Sequence, residues 1–187
     1  MKKLLLILLV LLLPAALFAE FRLGPTAFMN FPLIQDNTYN VPELDGIDPS
    51  DFTFGVDARL KILLFQASAA ALFTPGAEAT DSLGDPVVLP ASMDIFLDAG
   101  IAIDILILRI GLGVGPNFSF FFGNEDTISD PQSMGFNLKG TADIVLGPVS
   151  FGLSYINQFD FDLDHPVSVL SADKTQGLLG VAVLFKL

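Results

Sequence analysis

The chain has 187 residues, of which 52% are hydrophobic, and its formal net charge is −12. This length predicts a single domain. Because the chain contains no cysteine, disulfides, thiol nucleophiles, zinc–thiolate sites and cysteine-linked lipids are all excluded. Beyond residue 20, no apolar run approaches the ~18 residues of a membrane-spanning helix, so the high apolar content must be organised in another way.

Residues 1–19 have the order of a secretory signal peptide. Two lysines are followed by an apolar run at 4–13, and then by small residues that end at Ala19. The alternative is a retained membrane anchor, which the short apolar core and the absence of a charged flank disfavour. We predict cleavage after Ala19, which leaves residues 20–187 as the exported domain.

Beyond this leader, apolar and polar side chains alternate with a period of two residues, which is typical of strands that have one apolar and one polar face. Segments rich in Asp, Asn, Pro and Gly interrupt the alternation and predict loops. The first half of the domain is predicted in this order: strand 20–33, loop 34–51, strand 52–64, turn 65–66, strand 67–73 and loop 74–92.

The longest alternating stretch, 93–122, predicts a hairpin. Apolar residues occupy every odd position from Met93 to Ile107, and after Leu108 and Arg109 the apolar side moves to the even positions. Such a change of parity predicts a two-residue turn at 108–109. The other face carries aspartates and glycines, which make it too polar for a protein core. The apolar face is therefore predicted to meet lipid.

The rest of the chain is predicted in this order: loop 123–133, strand 136–146, turn 147–148, strand 149–161, loop 162–174 and a final strand that ends at Leu187. The count is eight strands, which are joined alternately by two-residue turns and longer connections. Short periplasmic turns and long outer loops are typical of an outer-membrane barrel. The prediction is an all-β, eight-stranded antiparallel up-and-down barrel with both termini in the periplasm.

Over residues 20–187 this pattern resembles the small eight-stranded outer-membrane barrels, the class that includes the OmpA transmembrane domain, OmpX and OmpW. The closing residues Val181, Val183, Phe185 and Leu187 are similar to the C-terminal assembly signal of such barrels, although leucine stands where phenylalanine is typical. The resemblance implies location in the outer membrane of a double-membraned bacterium. It also implies contact with lipid, insertion by the barrel-assembly machinery, a monomeric state and no nucleic-acid partner.

Charges of both signs occupy the inward positions of the strands. Asp57, Arg59, Asp98 and Lys139 are predicted at middle depth, and Arg22, Lys61, Asp104, Asp143 and Lys186 toward the periplasmic end. Arg109 is assigned to a turn. An eight-stranded barrel is just wide enough for its own side chains to fill, and buried charges need partners. We therefore predict a structural network of ion pairs that closes the lumen. The alternative is a row of charges that conducts ions.

Candidate catalytic residues are scarce. Lipid A deacylases and palmitoyltransferases share the predicted architecture, but the single histidine, His165, precedes a proline in a predicted loop and has no motif around it. A serine nucleophile needs a base beside it. Asp45, Asp48 and Asp51 lack the ordered spacing of a calcium loop. We predict no catalytic residue, no cofactor and no metal site.

Two classes of function remain. Most acidic residues fall in predicted loops, so the first class is a structural or surface-interaction barrel that acts through acidic extracellular loops. The second is a narrow channel for small or apolar solutes, as the resemblance to OmpW implies. A lipid-modifying enzyme is a remote third. The sequence names no ligand and no extracellular partner, and conductance in planar bilayers would separate the first two classes.

Overall fold

The computed structural model describes residues 19–31, 34–35, 38–39, 52–80, 86–122, 133–160 and 175–187. The predicted signal peptide, except Ala19, lies outside these described residues. So do the predicted loop 162–174 with His165, most of loop 34–51 with its three candidate aspartates, and nearly all of loop 123–133. The predictions for those segments stay predictions.

The described residues form twelve strands: β1 Ala19–Asn30, β2 Ile34–Gln35, β3 Thr38–Tyr39, β4 Phe52–Ile62, β5 Phe65–Thr74, β6 Ala77–Thr80, β7 Pro86–Leu89, β8 Ala91–Ile105, β9 Leu108–Phe122, β10 Ser133–Leu146, β11 Val149–Asp160 and β12 Thr175–Lys186. Eight of them make a closed barrel in the order β1-β12-β11-β10-β9-β8-β5-β4, with antiparallel neighbours throughout. The predicted all-β, eight-stranded antiparallel barrel is confirmed. No helix within the described ranges is long and apolar enough to cross a membrane.

The other four strands form two small hairpins that are not part of the closed barrel sheet. β2 pairs with β3, and β6 pairs with β7. Both hairpins fall in segments predicted as loops, 34–51 and 74–92, so the loop prediction was wrong at these residues. Asp, Gly and Pro are frequent in these segments, but short runs of residues that favour strands occur between them, such as the two valines at 87–88. Valine fits a strand well because its branched side chain packs on a pleated surface.

The barrel wall is apolar outside and polar inside. On β9, Ile110, Leu112 and Val114 are exposed on the outer surface, whereas Arg109 and Asn117 are buried inside. Successive side chains of a strand point to opposite faces, so the alternation in the sequence places each class on its own side. This distribution agrees with the predicted inward charges and outward apolar band, and it is the reverse of a water-soluble barrel.

Two of the three predicted turns are displaced by two residues. The structure places them at 63–64 and 106–107 rather than at 65–66 and 108–109, whereas the turn at 147–148 lies where it was predicted. The sequence interpretation was wrong because it counted Leu64 and Ile107 as the last outward residues of their strands, whereas in the structure these apolar residues belong to the turns.

The observed turns bring two polar residues into the barrel. Gln66 and Arg109, which the prediction left in turns, are both buried. Leu63 and Leu106 adopt positive φ angles of 57° and 58°, in the position that Gly147 occupies with φ 65°. This backbone conformation is unfavourable for a residue that has a Cβ. The inward side chains, rather than the preferences of the turn residues, therefore set the register.

Candidate functional site

The side chains inside the barrel are the candidate site. We call the end with the three two-residue turns the turn end, and the opposite end the loop end. The central network consists of Asp57, Arg59, Asp98, Lys139 and Asp143 with Ser68 and Ser154, and the turn-end network consists of Glu20, Arg22, Lys61, Asp104, Arg109 and Lys186.

Arg59 lies at the middle of the central network. Its Nη1 donates to both carboxylate oxygens of Asp143 at 2.7 Å. Its Nη2 donates to Asp57 at 2.8 Å and to Ser154 at 2.9 Å. Asp57 precedes Arg59 by two residues on β4, so both side chains point inward. Asp143 belongs to β10, which stands opposite β4 in the closed strand order, and this ion pair therefore crosses the barrel.

Lys139, also on β10, supplies the second cation. Its Nζ lies 3.3 Å from both carboxylate oxygens of Asp57, 3.0 Å from the Ser68 hydroxyl and 3.7 Å from Asp98. The Ser68 hydroxyl also contacts Asp98 as a donor. Asp57 thus touches both cations and joins the two ion pairs into one network.

The central network is closed to water. None of its five charged side chains is more than 7% exposed. Moving a charge from water into such an interior is costly unless the charge is paired and hydrogen-bonded. Each of the five has a partner of opposite charge within 3.7 Å. Among the described residues, removal of Arg59 would leave Asp143 buried without a partner of opposite charge, and removal of Lys139 would do the same to Asp98.

The structure brings together the four residues that were predicted at middle depth, Asp57, Arg59, Asp98 and Lys139. It also joins Asp143 to them, although the prediction grouped that residue with the periplasmic end. Grouping by depth alone considered where each Cα lies on its strand. A long arginine side chain links two depths, and its direction is set by partners on other strands of the folded barrel.

Arg109 connects the turn-end network. It donates to Glu20 at 2.8 Å and to Asp104 at 2.7 Å. Lys61 donates to Asp104 at 2.9 Å, and Arg22 contacts Glu20 and the carbonyl oxygen of the third turn. The assignment of Arg109 to a turn was wrong, because the real turn begins two residues earlier. Glu20, which the sequence analysis did not place in the lumen, proves to be shared by several cations.

The turn-end network is partly hydrated, unlike the central one. Half of the Lys186 side chain is exposed, and its Nζ lies 3.9 Å from Glu20. Asp104 is 44% exposed. Ion pairs that water can reach contribute little to stability, so this network holds the barrel less strongly than the central one.

An apolar layer fills the lumen between the central network and the loop end. It consists of one buried cluster: Phe28, Ala70, Leu72, Phe96 and Ile156. A Cβ at Gly180 would overlap the ring of Phe28, so glycine makes room for that ring. The sequence analysis missed this layer. The available signal was the presence of large apolar residues on positions that the alternation assigns to the inside.

A polar cavity of about 490 Å³ opens beyond this layer at the loop end. Asp94 accepts a hydrogen bond from Ser119 at 2.5 Å, and the hydroxyls of Thr53 and Thr74 are 3.1 Å apart. The amide oxygen of Asn117 is buried and has no hydrogen-bond partner among the described residues. Leucine side chains of the apolar layer and its surroundings form part of the cavity lining.

Strand β8 shows the order of these levels. From the turn end to the loop end it contributes Asp104, Asp98, Phe96 and Asp94. The first belongs to the turn-end network, the second to the central network, the third to the apolar layer and the fourth to the cavity. The lumen is therefore filled at three successive levels and opens at the fourth.

No protein-family model matches the chain, and no curated protein matches its sequence. Solved structures match its architecture. The crystal structure of Neisserial surface protein A (NspA) has a TM-score of 0.53 at 12% sequence identity, over 90% of this chain and 97% of that chain. The chain has the fold of the small eight-stranded outer-membrane barrels.

Two structures of Ail, the attachment invasion locus protein of Yersinia pestis, resemble this outer-membrane barrel fold with TM-scores of 0.47 and 0.46. Each has 11% identity and covers 90% of this chain and 97% of its own, and the second is a complex with the heparin analogue sucrose octasulfate. At 12% identity the likeness to NspA shows the barrel fold alone. The two networks, the apolar layer and the cavity are described from this chain's own structure.

Proposed function

We propose that this chain is a non-enzymatic outer-membrane β-barrel with a closed lumen, which acts at the cell surface through its loop end. The observation that carries the proposal is the filling of the lumen at three levels by the turn-end network, the central network and the apolar layer. The shared fold with NspA, a surface protein by name, supports it.

A conducting lumen would need a continuous hydrated path, and the residues that the structure describes leave none through the middle of the barrel. An ion that moved along the axis would have to separate Arg59 from Asp143, which are joined across the full width of the barrel. It would then have to pass Phe28 and Phe96, both fully buried in the apolar layer. An aromatic and aliphatic layer provides no group to replace an ion's hydration shell. These features favour the surface-interaction role over the narrow channel.

The outer face of the wall supports placement in a membrane. Leu97, Ile101 and Val114 are each at least 40% exposed, as are many other large apolar side chains of the wall. Apolar surface left in water costs about 25 cal/mol per Å², so such a wall needs lipid around it. We expect contact with outer-membrane lipid, recognition of β12 by the barrel-assembly machinery, and a monomer. Cleavage of the leader after Ala19 would leave nearly all of β1 intact.

The loop end is the surface that remains for a partner. The predicted loops carry most of the acidic residues of a chain whose net charge is −12, and complementary charge guides association. We therefore expect a partner that presents positive charge. A solute that enters the loop-end cavity meets the apolar layer, so the cavity ends inside the barrel and does not continue as a pore.

Planar-bilayer recording tests the closed lumen. The mature chain, residues 20–187, is refolded and inserted at high salt, and we expect no steady conductance. A variant with both Phe28 and Phe96 replaced by alanine serves as the comparison, because it removes the bulk of the apolar layer while leaving the charged networks unchanged. A steady current through the wild-type barrel would replace the proposal with the narrow channel.

Cysteine labelling tests the surface location, since the chain has no cysteine of its own. A single cysteine in loop 34–51 or 74–92 should react with a membrane-impermeant maleimide on intact cells. A cysteine in place of Pro148, in the third turn, should react only after the outer membrane is opened. The reverse pattern would invert the proposed orientation.

A further inference from the structure

Two of the three turns at the turn end are made of large apolar residues. Leu63 and Leu64 form the first, and Leu106 and Ile107 form the second. All four are exposed, and Leu106 is 98% exposed. Turns that face water are normally built from Gly, Asn, Asp or Ser, so a fully exposed leucine at the tip of a hairpin requires another environment.

The backbone adds a second reason. Leu63 and Leu106 hold positive φ angles, and the corresponding position in the third turn is Gly147. Two-residue hairpin turns of this hand strongly favour glycine or asparagine, since glycine alone adopts them without a steric cost. Leucine at both positions is unfavourable for the backbone. Contact of its side chain with an apolar surrounding would offset that cost.

The apolar surface continues from these turns onto the wall. The strand residues next to the second turn, Ile105 and Leu108, are exposed and apolar, and Phe65 holds the same position beside the first turn. An apolar groove of about 430 Å³ lies on the outer wall above the first turn, between Leu60 and Ile101. Within the described ranges, the outward positions next to these turns are apolar, so no polar margin separates the turns from the apolar outer wall.

We propose that the turns at 63–64 and 106–107 are inserted into the membrane, at the boundary between hydrocarbon and headgroups of the leaflet at the turn end. These two apolar turns then act as anchors in the phospholipid, while the charged side chains of the turn-end network stay inside the barrel, where water reaches them. The inference rests on the proposed outer-membrane placement. It goes further, because an outer-membrane barrel with its turns in water would satisfy that placement equally well.

Single-tryptophan variants test the insertion, because the chain contains no tryptophan. The variants are Leu64→Trp and Ile107→Trp, which avoid the positions of positive φ, and Val114→Trp in the middle of the wall. Each full-length mature barrel is refolded into phosphatidylcholine vesicles whose acyl chains carry bromine, a fluorescence quencher, either near the headgroup or near the bilayer centre. The same variant unfolded in urea serves as the water-exposed reference.

We expect Val114→Trp to lose most of its fluorescence to the deep bromines. The fluorescence of Leu64→Trp and Ile107→Trp should be quenched mostly by the shallow bromines. Their emission maximum should lie at a shorter wavelength than that of the unfolded reference, and iodide in the water should quench them little. If the turn tryptophans are quenched by iodide as in the unfolded chain while Val114→Trp responds to bromine, the insertion is refuted and the membrane barrel stands. If Val114→Trp also ignores bromine, the outer-membrane proposal itself fails.

Ile107→Ser gives a second test that needs no probe. This position does not have a positive φ angle, so the substitution changes the polarity of the side chain without relieving the backbone. A turn in water should tolerate serine, whereas a turn inserted in lipid should become less stable in vesicles because an apolar contact is lost. We expect a lower urea midpoint in vesicles for Ile107→Ser than for the wild type, and an equal or higher midpoint would overturn the proposal.

Discussion

Replacement of Arg59 by alanine is the most direct test of the central network. The substitution removes five hydrogen bonds, two to Asp57, two to Asp143 and one to Ser154. Asp57 keeps Lys139 as a partner. Within the part of the chain that the structure describes, Arg59 is the one cation within 4 Å of Asp143. The variant therefore leaves a carboxylate buried without a counter-charge.

The expected magnitude follows from this stranded charge. Breaking a buried ion pair by removing one partner costs about 3–5 kcal/mol, and Asp143 is only 1% exposed, so we expect the loss to fall in that range. With a urea dependence of about 2 kcal/mol per molar, the unfolding midpoint should fall by about 2 M. Lys186→Ala is the control. Half of its side chain is exposed, and its Nζ lies as far as 3.9 Å from Glu20, so its effect should stay near zero.

Unfolding in urea, followed by far-ultraviolet circular dichroism of barrels refolded in lipid vesicles, measures both variants. A second substitution sharpens the test. Asp143→Ala should destabilise the wild type, because it removes Arg59's bidentate partner, but it should restore stability to Arg59→Ala, because it removes the stranded charge. Equal effects of Asp143→Ala in the two backgrounds, or equal midpoints for Arg59→Ala and Lys186→Ala, would refute the reasoning.

Three further outcomes can be checked by the same unfolding measurement. Gly180→Ala should lower the free energy of unfolding by about 1–3 kcal/mol, the usual penalty of overpacking, because the new methyl group overlaps Phe28. Addition of Phe28→Ala should recover part of this loss, and no recovery would show that the two residues do not clash. Val114→Arg should cost about 2–4 kcal/mol in lipid and Val114→Ala much less, whereas similar losses would deny that this face meets lipid. Arg109→Ala should fall between Arg59→Ala and the Lys186 control, since one of its two carboxylate partners is reached by water, and a loss as large as that of Arg59→Ala would contradict the hydrated character of the turn end.

The strands and their faces could be predicted because period-two alternation is a local property. Each of Ile101, Ile103 and Ile105 is apolar and faces outward whatever its neighbours are. The same alternation placed Asp57, Arg59, Asp98 and Lys139 inside. It could not say which cation meets which carboxylate, since Lys139 of β10 pairs with Asp57 of β4 and with Asp98 of β8, strands far apart in the chain.

The displaced turns and the apolar layer show where local reasoning stops. Turn chemistry argues against Leu106 at positive φ, yet the structure has it there, and with the turn in this place Arg109 points into the barrel and pairs with Glu20 and Asp104. Likewise, Phe28 lies on the inward face of β1, where its nearest neighbours along the strand are the polar residues Thr26 and Asn30. Each strand shows an apolar residue on an inward position, but only closure of the barrel brings Phe28 and Phe96 together into one cluster.

The bonds between Arg59 and Asp143 connect residues 84 positions apart, on strands that stand on opposite sides of the ring. Neither the β4–β5 hairpin nor the β10–β11 hairpin can form this contact alone. The contact also cannot form while the sheet is still open. In an unclosed sheet both side chains would remain hydrated, and they would lose water only as β1 meets β12. Dehydration of the charges is thereby coupled to the last step of assembly. A barrel that closed in a shifted register would seal these charges away from one another, and the resulting penalty makes the central network a check on the register in which the ring closes.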